Sequence, residues 1–76
     1  MALVTAFERK DLERNKVHDP IEASFTSFSD GDRKFVQIDT HGRATREIPG
    51  KKSQTIQLDE AGARELIAIL TREFDL

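Results

Sequence analysis

The chain has 76 residues, 37% hydrophobic and 34% charged, with a formal net charge of −2. This length holds one small domain with a marginal core, and the composition is that of a folding chain. The lack of cysteine excludes disulfides and thiolate metal sites, and the longest apolar run, 66–70, is too short to span a bilayer.

Residues 1–20 read as an N-terminal arm or short helix. They lack the apolar stretch and small-residue cleavage pattern of a signal peptide, so the expectation is a soluble, cytoplasmic protein with no membrane partner. Leu3 and Phe7 stand one helical turn apart, and Leu12 can follow. The charged run 8–16 reads as a solvated face. Asp19-Pro20 ends whatever precedes it, because proline disfavours helix at the residue before it.

Residues 21–76 read as a single domain that opens with a hairpin. Asp30-Gly31 is a strong two-residue turn signal. A turn there sets Phe28 opposite Arg33, Thr26 opposite Phe35, Phe25 opposite Val36 and Ala23 opposite Ile38. One face then gathers Ile21, Ala23, Phe25, Val36 and Ile38, and is expected to be the core face under a helix. The other gathers Ser24, Thr26, Phe28, Arg33, Phe35 and Gln37. The same register opposes Glu22 and Asp39, two like charges, which predicts fraying at that end.

His41-Gly42 reads as a second turn into a strand over 43–48. Pro49-Gly50 breaks that strand, and 54–58 reads as a short last strand with Ile56 and Leu58 inward. A helix over 59–74 follows. Asp59 is a good N-cap, Glu60 suits the positive end of the helix dipole, and Leu58 can staple onto Ala63. Ala63, Leu66, Ile67, Leu70 and Phe74 recur at helical spacing, and Ala68 and Ile69 widen the apolar arc. An arc this wide suggests a contact with a partner as well as with the sheet, and marks Leu66, Ile69, Leu70 and Phe74 as a candidate dimer interface. Gly62 in the first turn costs about 1 kcal/mol relative to alanine; close approach of another backbone is one reason to keep it. The predicted fold is therefore α+β: a four-stranded antiparallel β-meander followed by one C-terminal α-helix packed on one sheet face.

The catalytic inventory is thin. His18 and His41 are the two histidines, and no spacing predicts a metal site or a phosphate-binding loop. His41 with Asp39 is the one catalytic candidate. No enzyme activity, cofactor or metal is expected. Charge points elsewhere: residues 33–52 hold Arg33, Lys34, Arg43, Arg46, Lys51 and Lys52 against Asp39 and Glu47, a local excess of +4. With Phe28 and Phe35 beside Arg33, this block has what single-stranded nucleic acid requires, rings for bases and cations for phosphates. The competing expectation is that the aromatic face is covered, by the arm or by a second copy. The protein is then a protein–protein interaction module, an adaptor, inhibitor or subunit of a host or phage complex.

The segment Gln54-Thr55-Ile56-Gln57-Leu58-Asp59-Glu60, followed by Leu66, Ile67 and Leu70, resembles the last strand and helix of the positive-cofactor family of single-stranded-DNA-binding transcriptional coactivators. The resemblance implies a curved antiparallel sheet followed by one helix, a homodimer, and melted DNA held on basic, aromatic strands. On this chain the family's basic hairpin is matched by Arg33, Lys34, Arg43 and Arg46, and the role implied is that of a transcription-related regulator.

Overall fold

A computed structural model describes residues 1–41 and 52–76, with side chains at all of them except Lys52 and Ser53. The elements in chain order are β1 (Ala2–Val4), β2 (Ala23–Asp30), β3 (Arg33–His41), β4 (Lys52–Leu58) and α1 (Glu60–Phe74). The fold is α+β, with four strands and one C-terminal helix. The sheet order is β1-β4-β3-β2, and β1 runs parallel to β4. The sheet is thus mixed, not the purely antiparallel meander predicted from the sequence. Its fourth strand comes from the arm, whose first residues align Ala2 with Ile56 and Val4 with Leu58. The predicted strand over 43–48 lies outside the described residues.

The β2–β3 hairpin is antiparallel, but its turn sits one residue later than expected. Asp30 pairs with Arg33, so Gly31 and Asp32 form the loop. Gly31 has φ +67° and Asp32 no positive φ, as in a II′ loop, which favours glycine at its first position. This register closes the turn with opposite charges and sets Phe28 against Phe35. It also sets Asp39 opposite Ser24 in place of Glu22, which removes the like-charge conflict. The pairing has moved by two residues from the predicted one. Because side chains alternate with period two, every residue of the hairpin keeps its predicted face.

One sheet face therefore carries Ala2, Val4, Phe25, Val36, Ile38, Ile56 and Leu58; the other carries Leu3, Phe28, Phe35, Gln37, Asp39, Thr55 and Gln57. The buried side chains fall on both. Leu58 is buried on the first; Phe35 and Asp39 are buried on the second, which the sequence assigned to solvent. Phe35 lies under the stacked Phe28 ring and the Arg33 guanidinium, and Asp39 lies among its hydrogen-bond donors Gln37 and Thr55.

The helix forms where predicted. The Asp59 side chain accepts a hydrogen bond from the Gly62 amide at 2.8 Å, the N-cap bond that satisfies one orphan donor. At the other end Asp75 adopts a left-handed conformation, φ 54°, and the Leu76 amide reaches back to the Thr71 carbonyl at 3.1 Å. Its position differs from the expected one. Only Asp59 separates β4 from α1, and the helix's strand contacts concentrate on β4. The β2 end of the apolar face stays open, where Phe25 stands exposed and Ile21, outside the strand, is exposed too. The arm instead runs beside the helix. The Phe7 amide donates to Glu65 at 3.2 Å, and Arg9 reaches Glu73 at 3.3 Å.

Gly62 explains this placement. A Cβ on it would overlap the carbonyl oxygen of Val4, so the helix's first turn lies against the end of β1. Helix propensity alone favours Gly62→Ala by about 1 kcal/mol. Here the variant is expected to lower the melting temperature, because β1 must be pushed off. A higher melting temperature by circular dichroism would show that β1 is not seated there.

Candidate functional site

Three of the predicted site residues meet at one end of the polar face. The cross-strand pair Phe28–Phe35 stacks with ring centroids 5.4 Å apart and planes inclined by 25°. The Arg33 guanidinium carbon lies 4.9 Å from the Phe35 ring centroid, within range of a cation–π contact. The exposures differ: Phe28 is 39% exposed and Phe35 only 7%. The pair is thus a supported platform, in which a buried ring backs one that water still reaches.

Arg33 is also held from the helix side. Its Nη2 lies 3.6 Å from Oδ2 of Asp59, the carboxylate whose Oδ1 caps α1. One acid therefore fixes the helix start and orients the cation above the ring. The Arg33 side chain stays largely open to solvent, so this ion pair adds little stability, well under about 1 kcal/mol. Its role is positional.

The face continues from the rings as a polar ladder. Gln57 Nε2 donates to Gln37 Oε1 at 3.0 Å, and Gln37 Nε2 donates to Asp39 at 3.1 Å. The Thr55 hydroxyl also donates to Asp39. Beyond Asp39, His41 Nε2 lies 3.0 Å from Ser24 Oγ. Phe35 to His41 spans six strand steps, about 20 Å. Phe28, the two amides and His41 thus place planar groups along one lane.

The remaining predicted residues are distributed otherwise. Lys34 is exposed but alternates onto the apolar face, opposite Ser29, and does not join Arg33. Arg43, Arg46 and Lys51 lie outside the described residues. Lys52 pairs with His41 through its backbone, after a register shift between Thr40 and His41; its side chain lies outside the description. Of the candidate dimer residues, Leu70 and Phe74 are exposed on the helix, Leu66 is half-buried, and Ile69 lines the cleft between helix and arm. The sequence reading missed Asp59 as the partner of Arg33, Ser24 as the partner of His41, and the Gln37–Gln57 bridge. The first two depend on elements far apart in the chain; the bridge becomes visible only once β3 and β4 are in register.

For catalysis, the Asp39–His41 candidate gains Ser24, a hydroxyl within hydrogen-bond reach of an imidazole. Asp39, however, is buried and accepts hydrogen bonds from Gln37 and Thr55. Among the described residues no group of three or more histidine, aspartate or glutamate side chains is placed to hold a metal ion. No described helix is long and apolar enough to cross a membrane. Comparison with family models, curated proteins and solved structures finds no match to this chain.

The unequal burial of the two rings sets unequal costs for removing them. Phe35→Ala is expected to lose about 3 kcal/mol or more of stability, the usual cost for a buried ring. Phe28→Ala is expected to lose about 1 kcal/mol, since its ring is already partly wet. Urea titration of both variants checks the order; equal losses would contradict the supported-platform geometry.

Proposed function

We propose that this protein is a small binding protein, not an enzyme, and that it holds single-stranded nucleic acid on the face that carries Phe28. The observation that carries this reading is the Phe28–Phe35–Arg33 stack, an accessible ring backed by a buried one and flanked by a cation. A base can stack on Phe28 at no cost in reorganisation, because Phe35 already holds the ring. Arg33 then meets the adjoining phosphate. The Gln37–Gln57 amides lie next along the lane and offer donors and acceptors to base edges. Buried Asp39 favours bases over phosphates above that part of the face. The local positive excess of residues 33–52 in the sequence supports an anionic ligand. The resemblance to the single-stranded-DNA-binding coactivators supports the same ligand class, and with it a transcription-related role.

A second reading, a protein-interaction module without nucleic-acid binding, is favoured by the exposed apolar side chains of the opposite face. It predicts association that added oligonucleotide does not alter.

Titration of a fluorescent oligonucleotide at several salt concentrations separates the two. On the nucleic-acid reading, Phe28→Ala weakens binding by about 1–3 kcal/mol, roughly 5- to 150-fold. Arg33→Ala makes the slope of log K against log salt shallower by about 0.7, one phosphate contact on a single strand. Absence of binding by the native chain at micromolar protein and low salt would sink this reading.

A further inference from the structure

Ladder geometry divides the backbone of β2, with the residue before it, into two sets. The two-residue loop closes on the Asp30–Arg33 pair, and the His41 amide donates to the Glu22 carbonyl at 3.2 Å. Both ends fix the same parity: Glu22, Ser24, Thr26, Phe28 and Asp30 turn their backbone groups toward β3. Ala23, Phe25, Ser27 and Ser29 turn theirs outward. β2 is the last strand in the order β1-β4-β3-β2, and among the described residues nothing hydrogen-bonds to this outer row.

Sheets usually guard such an edge with a short strand, a lysine, a proline or a bulge. The opposite edge follows this rule, since β1 has three residues. β2 has eight, pairs with β3 without a shift in register, contains no lysine or proline, and is exposed at every residue. Phe25, in the outer row, is 79% exposed. The charge along the edge has one sign: Glu22 stands at one end, Asp30 and Asp32 at the other, and no base lies within 21–32. That pattern works against a second β2 as the occupant. Two such edges paired antiparallel over their full length would set Glu22 against Asp30 at both ends, and like charges directly opposite destabilise a ladder.

We infer that the outer edge of β2 is a docking strand for an extended, basic segment of another protein, which joins the sheet beside β2. Main-chain hydrogen bonds to the outer row supply an attraction common to any extended chain, and alternate side chains select among sequences. The segment that fits carries lysine or arginine at both ends, against Glu22 and Asp30, and an apolar residue against Phe25. It uses the backbone edge and not the Phe28 ring, so it does not rest on the nucleic-acid reading.

Titration of the native chain with a blocked peptide, in the absence of nucleic acid, tests this. The peptide has lysine at both ends, phenylalanine at its centre, and valine alternating with threonine between them. At saturation, amide hydrogen exchange followed by NMR is expected to slow about tenfold or more at Phe25, Ser27 and Ser29. It is expected to stay unchanged at Ser24, Thr26 and Phe28, whose amides already face β3. N-methylation of one alternate set of peptide amides should abolish binding, and methylation of the other set should leave it within about twofold. No binding at millimolar peptide and low salt would overturn the docking strand. So would equal binding of a peptide with glutamate at both ends, equal effects of the two methylated sets, or protection of the outer row in the chain alone.

Discussion

The close approach of Gly62 to the Val4 carbonyl governs the rest of the molecule. It seats β1 at the edge of β4 and fixes where the helix starts. With a side chain at position 62, the first turn of α1 and the end of β1 could not share that space. The one-residue connection at Asp59 then leaves the helix little freedom to swing back over the sheet. Among the described residues, Phe25 and Ile56 on the apolar face stay exposed while Leu58 on the same face is buried.

The two faces of the sheet consequently have different chemistry. One is apolar and continuous across β2, β3, β4 and β1, from Phe25 through Ile38 and Ile56 to Ala2. The other begins with stacked rings and a cation and continues as a hydrogen-bonded ladder of amides, hydroxyls and one buried carboxylate. Asp59 ties this polar face to the helix, since it caps α1 and holds Arg33 over Phe35. A ligand that pulled on Arg33 would thus act on the helix start.

The single chain is poor in core. Among the described residues Leu58 and Phe35 are the buried large apolar side chains, and none is fully enclosed. A domain of this size has little margin to spare.

The sequence by itself determined the helix, the hairpin and the sorting of side chains between faces. Each rests on signals that act over a few residues: the Asp59 cap with its apolar periodicity, the glycine at the turn, and strict alternation along β2 and β3. Alternation even survived an error of two residues in register, because an even shift returns each side chain to its own side. Only the tertiary structure decided that Ala2–Val4 is a parallel strand, that Phe25 stays exposed while Leu58 on the same face is buried, and that Phe35 is buried while Phe28 is not. The pairing of Ala2 with Ile56 joins residues 54 positions apart, and three small or aliphatic residues carry no local mark of such a partner. Burial of Phe35 depends on the cross-strand Phe28 ring and on Arg33, which Asp59 holds from the helix side. Caps and turns are set by neighbouring backbone groups; packing is set by whatever surface the rest of the chain, or a second chain, brings into contact.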